Sequence, residues 1–333
     1  MKLNHLLTGL VSITLLAALA GCGGGGGDAT GKVDAAAKVD YPTKQVELLV
    51  PFSAGGGTDA VARAFADAAK THFAKPFGVV NKTGGGGAVG MAEGAKAKAD
   101  GYKVTLITAD VTILPHLGLA SFKPEDFKPI TMINQDPSAV TVRTDAPWNS
   151  LEEFIEYAKA NPEKVRVANS GTGGIWHLAA AAFEDKSGVK LRHIPYEGAA
   201  PAVTALLGGH VEAVMVSPAE VSAHVTSGKL KMLGVMSDER LEHMKDVPTL
   251  KEQGVDLSVS TWRGLGVPKD TPQEIVSVLK DAAAETVKEQ SFQSVLDKMN
   301  LGKAYLDDAA FQEKITSDSA MFKDLIDKSG LKK

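Results

Sequence analysis

Three glycine-rich turns, each between a β-rich run and a helical pattern, most constrain the fold of this chain of 333 residues. They occupy residues 53–59, 83–87 and 169–174. Short β-rich runs that alternate with helical patterns of about 10–15 residues favour an α/β fold with parallel sheet. The order of strand, glycine-rich turn and helix occurs near residue 50 and again near residue 170. This recurrence predicts two similar α/β lobes.

The same turns predict an anion-binding site. Each delivers backbone N–H groups at a helix N-terminus, where the helix dipole adds partial positive charge, and glycine lets a ligand approach the backbone closely. In open α/β sheets, ligands lie outside the carboxyl ends of the strands. The candidate ligand-binding residues in the turns are Ser53, Ala54, Gly55, Gly56, Gly57, Thr58, Gly85, Gly86, Ser170, Gly171, Thr172, Gly173 and Gly174. The alternative is that these glycines only form sharp connections.

Single polar residues near the turns extend the candidate site. Asp110 follows a predicted strand, His177 follows the third turn, and Tyr196 has a phenol that can form a hydrogen bond. Asp59 lies in a first helical turn, so it is either a cap or a contact for an amine or hydroxyl on the ligand. Trp176 packs either over the ligand or in the core, and we expect the core.

The N-terminus predicts export. A positive start at Lys2 and an apolar run from Leu6 to Ala20 are typical of a secretory signal in residues 1–21. The run is too short to span a membrane, which takes about 20 apolar residues. The segment that ends at Cys22 resembles the bacterial lipobox, in which the cysteine receives a lipid; an ordinary signal peptide is the alternative. Residues 22–41 are predicted to be a flexible tether. We therefore expect a lipid-anchored, extracytoplasmic protein.

Composition and motif spacing argue against several classes of function. A net charge of −4 gives no basic field for nucleic acid, and the single cysteine excludes a disulfide framework. The chain shows no zinc-ligand spacing, nucleophile elbow or Walker loop, so we expect no catalysis, metal or cofactor. Gly85, Gly87 and Gly90 with Asp110 fit dinucleotide-binding spacing, but a run of four glycines satisfies it easily. We expect a monomer.

Several segments, in order along the chain, resemble the Bug/TctC family, the extracytoplasmic solute receptors of tripartite tricarboxylate transporters. The segments that carry the resemblance are residues 41–42, 50–59, 62–63, 81–90, 100–102, 170–178, 195–201, 208–209, 261–268 and 271–272. The first contains Tyr-Pro and the second Val-Pro-Phe-Ser-Ala-Gly-Gly-Gly-Thr-Asp. The resemblance covers most of the chain beyond the predicted tether.

The resemblance implies a type II periplasmic-binding-protein fold, with two α/β lobes of mostly parallel sheet around a ligand cleft. Lobe 1 would comprise residues 42–137 and 262–333, and lobe 2 residues 138–261. The loops 53–58 and 170–174 would hold the carboxylates of a tri- or dicarboxylate such as citrate, for delivery to the transporter's membrane subunits. The alternatives are an extracytoplasmic enzyme using His177 with Asp59 or Asp110, and a sensory receptor.

Two residues depart from the family pattern. Glu197 stands where many relatives carry lysine, and Arg263 stands where many carry an aromatic residue. Arg263 is a candidate for a bidentate carboxylate contact, with a hinge-surface residue as the alternative. These departures leave the identity of the solute open.

Overall fold

The computed structural model describes residues 39–329, with the side chains of residues 39–327. The predicted signal, the predicted lipidation site Cys22 and most of the predicted tether therefore lie outside the described residues. Within the described range, no helix combines the length and the apolar character that a membrane span requires.

The first sheet has five strands in the spatial order β2-β1-β3-β10-β4. The strands are β1 (Val46–Val50), β2 (Phe77–Asn81), β3 (Lys103–Thr108), β4 (Phe127–Pro137) and β10 (Ser260–Pro268). β1 pairs in parallel with β2 and β3, whereas β10 pairs antiparallel with β3 and β4. Only β10 runs against the direction of the others.

The second sheet repeats this arrangement in the spatial order β7-β6-β8-β5-β9. The strands are β5 (Ala139–Arg143), β6 (Arg166–Asn169), β7 (Arg192–Pro195), β8 (Ala213–Val214) and β9 (Leu230–Val235). Here β5 is the reversed strand, antiparallel to β8 and β9. The two-lobed α/β prediction is confirmed, but both sheets are mixed. In each sheet the chain arrives from the other lobe to form the reversed strand. This strand begins beside the carboxyl ends of the neighbouring strands, because it runs antiparallel to them.

The chain passes between the sheets twice. β4 ends at Pro137 in the first sheet and β5 begins at Ala139 in the second. The return follows β9, and Ser260 begins β10 back in the first sheet. The predicted crossings at Pro137 and Trp262 lie at the end of β4 and just inside β10. The lobe boundaries themselves stay a prediction, which limited proteolysis tests.

Nine helices in the described range cover the sheets. They are α1 (Gly57–Ala68), α2 (Ala88–Ala95), α3 (Leu151–Ala160), α4 (Ile175–Ser187), α5 (Ala199–Leu207), α6 (Pro218–Thr226), α7 (Gln273–Thr286), α8 (Gln290–Lys298) and α9 (Asp308–Ser329). The helical spacing of Val61, Phe65, Ala69 and Phe73 predicts a helix over residues 58–73 with these side chains on one face. All four side chains are buried, and Phe65 meets Phe292 of α8 edge to face at 6.3 Å. α1 is shorter than the predicted helix 58–73 because a 3-10 turn follows it. Ser150 caps α3 as its sequence predicts, because its side chain accepts from the Glu153 N–H at 3.1 Å.

Candidate functional site

A small cavity lies beyond the carboxyl ends of β1, β3 and β6. Its lining residues come from both lobes: Phe52, Ser53, Gly56, Gly57, Thr58, Thr108, Asp110, Ser170, Ile175, Trp176, Ala199, Glu220, Thr261 and Arg263. The space inside that a water-sized molecule can occupy is about 20 Å³, which is room for about one water molecule. The lobes are therefore closed on each other.

Asp110 closes one side of the cavity by joining the two lobes. It follows β3 of the first sheet, and its Oδ1 accepts a hydrogen bond from the Ile175 N–H of α4 at 2.7 Å. Its Oδ2 accepts from Thr108 Oγ1 at 2.5 Å. Asp110 therefore caps a helix of the opposite lobe. Burial raises the pKa of Asp110, which opposes the effect of these hydrogen bonds.

Glycine permits two other close approaches between the lobes. A Cβ at Gly171, where φ is +134°, would lie 2.4 Å from the Cα of Gly86. A Cβ at Gly198 would lie 2.5 Å from Ser53 Oγ. Real side-chain carbons do not approach other atoms this closely, so these glycines let the lobes meet.

Two helix N-termini face the cavity from opposite lobes. The N-cap residue is Gly56 in α1 and Gly174 in α4. A glycine has no side chain that could cap its own helix. The first N–H groups of a helix lack partners within the helix and carry the positive end of the dipole. Asp110 uses the Ile175 N–H of α4, whereas at α1 both the N-cap and the first residue, Gly57, line the cavity.

Arg263 lies inside the cavity wall, with only 1% of the residue exposed. Arg263 is therefore not a surface residue, although it lies on a strand that crosses between the lobes. Its Nη1 donates to Asn134 Oδ1 at 2.5 Å and to a carboxylate oxygen of Asp136, and its Nε donates to Thr58 Oγ1 at 2.9 Å. These contacts fix the guanidinium at the crossing between the sheets, since both Asp136 and Arg263 belong to crossing strands.

Glu220 is the functional candidate that the sequence did not reveal. Its side chain is 4% exposed, and its Oε1 lies 3.9 Å from Arg263 Nη2. It stands in the first turn of α6, where its Oε2 accepts from the Ser217 N–H at 3.1 Å. Burial raises the pKa of Glu220, although the Arg263 charge opposes the rise. The only sequence signal at this position is a helix-capping pattern, which predicts a local structural role.

The predicted site residues divide into two groups. Those that line the cavity are Ser53, Gly56, Gly57, Thr58, Asp110, Ser170 and Arg263. Those outside the lining are Ala54, Gly55, Gly85, Gly86, Gly171, Thr172, Gly173, Gly174, His177 and Tyr196. Trp176 is 3% exposed, and it belongs both to the hydrophobic core and to the lining.

His177 and Asp59 have structural partners within their own lobes. His177 Nδ1 accepts from the Gly173 N–H at 2.9 Å, so it supports the third glycine-rich turn. Burial, together with the charge of His193, lowers the pKa of His177 to about 4. Asp59 accepts hydrogen bonds from the Gly55 N–H, Arg63 and Asn81. Burial opposes the effect of these bonds on Asp59, but they leave its pKa lowered.

The described residues bring no three His, Cys, Asp or Glu side chains into a cluster that could hold a metal ion.

Two sheets joined by two crossings, with helix N-termini meeting at an interlobe cavity, define a two-lobed solute-binding protein of the periplasmic type.

Comparison with known proteins identifies the family. A family model described as tripartite tricarboxylate transporter family receptor, TctC, matches residues 61–331. The chain therefore belongs to the TctC family, which confirms the resemblance in the sequence; this is a family of solute-binding receptors. BugT of Bordetella pertussis is 32% identical over 256 residues, which is 75% of this chain and 78% of BugT.

Solved structures agree with this assignment. A TctC solute-binding protein from Polaromonas, solved with no ligand, is 52% identical, with a TM-score of 0.66 over 86% of this chain and 99% of that one. A protein of R. palustris solved with adipate is 27% identical, with a TM-score of 0.83 over 87% of this chain and 99% of that one.

Proposed function

We propose that this protein is a lipid-anchored, extracytoplasmic receptor that binds a small carboxylated solute between its lobes and delivers it to the membrane subunits of a tripartite tricarboxylate transporter. The observation that carries the proposal is the interlobe cavity with the uncapped N-terminus of α1 in its wall. Backbone N–H groups at a helix N-terminus bind a carboxylate without requiring an unpaired lysine or arginine.

The closed lobes support a binding cycle. Asp110, Gly171 and Gly198 make interlobe contacts around a cavity too small for an organic acid. A solute must therefore enter while the lobes are apart, and hinge closure around a ligand is the motion that binding proteins use. The adipate in the R. palustris neighbour supports a carboxylate as the ligand class.

A receptor is favoured over the enzyme alternative. The acid–base groups that an enzyme here would use are His177, Asp59 and Asp110, and each is engaged in a structural hydrogen bond. With a pKa of about 4, His177 is neutral and a weak base near pH 7. We therefore propose saturable binding without turnover.

Calorimetric titration of the purified full chain in detergent tests the receptor function. The panel contains monocarboxylates, dicarboxylates, citrate and amino acids, and the protein is first unfolded and refolded to remove any solute that copurifies. We expect saturable binding of one class and unchanged solute after long incubation. Folded protein that binds no carboxylate would contradict the proposal.

The lipid anchor is tested separately, because Cys22 lies outside the described residues. Cys22→Ser removes the thiol to which a lipid would attach. We expect the variant to leave the membrane fraction while the parent chain stays there, and both to bind solute alike. Equal membrane association of the two proteins would favour the ordinary signal peptide and remove the anchor from the proposal.

A further inference from the structure

The charge around the cavity is predominantly negative, and the binding of a carboxylate does not explain this. Asp110 and Glu220 line the cavity, Asp136 lies against its wall, and Arg263 is the only basic residue in the lining. Asp136 already forms a buried ion pair with Arg263. A second carboxylate on the solute would therefore meet buried negative charge without an unpaired cation to balance it.

Among these three acids, Glu220 has an oxygen without a hydrogen-bond donor. Asp110 and Asp136 each accept with both carboxylate oxygens in the described part of the chain. Glu220 accepts from the Ser217 N–H with Oε2, whereas Arg263 Nη2 is 3.9 Å from its Oε1, too far for a hydrogen bond. Within residues 39–329, Oε1 of Glu220 therefore accepts no hydrogen bond, although the side chain is only 4% exposed.

A second polar atom in the same wall also lacks a partner. Ser53 Oγ is buried and makes no hydrogen bond among the described residues. It belongs to the loop that leads into α1 and lines the same cavity as Glu220. Buried polar atoms are nearly always paired in folded proteins. The unpaired Ser53 hydroxyl, beside the Glu220 oxygen that accepts no hydrogen bond, therefore favours a ligand that completes both groups.

The separation of these groups limits the shape of the ligand. A Cβ at Gly57, the first residue of α1, would lie 3.1 Å from Glu220 Oε1 and 3.0 Å from Arg263 Nη2. The N-terminus of α1, a guanidinium nitrogen and a free carboxylate oxygen therefore converge within a few ångströms. A carboxylate that binds at the α1 N-terminus while the lobes are apart would therefore have Glu220 as a neighbour when the lobes close.

We propose that the solute is a small α-amino acid, whose carboxylate binds at the N-terminus of α1 and whose ammonium group donates to Glu220 Oε1. This inference rests on the proposed receptor function and names the solute class for the same cavity. The ammonium group supplies the missing donor and one of the missing positive charges. Burial raises the pKa of Glu220 because the Arg263 charge and the Ser217 hydrogen bond only partly offset the cost of burying its negative charge.

Four solutes with a four-carbon skeleton test the inference: butyrate, 2-hydroxybutyrate, 2-aminobutyrate and succinate. The full chain, refolded free of solute, is titrated with each in a calorimeter. We expect 2-aminobutyrate to bind at least ten-fold more tightly than butyrate or succinate, which is about 1.4 kcal/mol. The hydroxyl of 2-hydroxybutyrate also donates but carries no charge, so we expect it to bind more weakly than the amine.

Glu220→Gln keeps the size of the side chain and removes its charge. We expect it to weaken the binding of 2-aminobutyrate at least ten-fold and not to weaken that of butyrate, because loss of a nearby negative charge does not disfavour a carboxylate. Glu156→Gln is the matched control, because Glu156 is an exposed glutamate on α3 of the same lobe. Its affinities should equal those of the parent chain.

The outcomes separate the two proposals. Tighter binding of succinate or 2-hydroxybutyrate than of 2-aminobutyrate would overturn the amino-acid inference and keep the receptor function. Glu220→Gln protein that retains the preference for the amine would also overturn the inference. Failure of every carboxylate to bind would overturn the receptor function itself. Should the variant not fold, the four titrations of the parent chain still decide.

Discussion

The effect of pH on His177 gives the sharpest quantitative prediction. The folded protein lowers the pKa of His177 from 6.5 to about 4, because burial disfavours the imidazolium. Folding is therefore favoured by neutral His177, and this contribution is fully present above pH 6.5 and is lost as the pH falls towards 4. Between pH 7.5 and pH 4.5, linkage with these two pKa values gives a loss of about 2.5 kcal/mol.

His177→Asn isolates this contribution. Asparagine does not titrate, and its Oδ1 can replace Nδ1 as the acceptor for the Gly173 N–H. We expect urea unfolding to show that, from pH 7.5 to pH 4.5, the parent loses about 2.5 kcal/mol more of its free energy of unfolding than the variant does. The raised pKa values of Asp110 and Glu220 change stability in the opposite direction, but they are common to both proteins and cancel.

His243→Asn, which removes an exposed histidine, is the control for loss of a histidine as such. A free-energy difference between parent and His177→Asn that stays constant over this pH range would refute the reasoning. So would an NMR titration in which the His177 ring of the folded protein protonates near pH 6.5. Either result would reopen the possibility that His177 is a cationic contact for the solute.

Three substitutions test closure, buried charge and core packing. Gly171→Ala places a carbon against Gly86, so we expect weaker solute binding and, by small-angle scattering, no compaction when solute is added; unchanged affinity would contradict this. Asp136→Asn leaves the Arg263 guanidinium without its directly bonded carboxylate, and urea unfolding should show a loss of about 3 kcal/mol. Phe292→Ala opens a cavity beside α1 at a fully buried position, with an expected loss of about 3–5 kcal/mol in the same assay.

Local sequence patterns predicted most of the elements and part of the site. The glycine-rich turns, the Ser150 cap and the apolar face of α1 are set by nearby residues, so the sequence reveals them directly. The reversed strands β5 and β10 were not predicted, because a strand's direction depends on which sheet it joins. Periodicity carries no information about that choice.

The site showed the same limit. Ser53 and Ser170 were found because their loops are distinctive, whereas Glu220 is part of an ordinary capping pattern at the start of α6. Its importance comes from proximity to Arg263, 43 residues away in sequence, and from burial, neither of which a single sequence encodes visibly. Gly86 and Gly171 lie where the lobes meet and do not line the cavity. The sequence indicated that glycine matters at these positions, but only the structure shows that its purpose is close contact between the lobes.

The position of β10 in the first sheet has a consequence for the order of folding. β10 lies between β3 and β4, yet its first residue is made about 150 residues after the end of β3. During synthesis the first sheet therefore stays divided until β10 has been made. Pairings between such distant segments form slowly. The second sheet is built from contiguous chain, whereas the first sheet of a nascent chain stays incomplete for longer, and this suits a protein whose signal-like N-terminus predicts export.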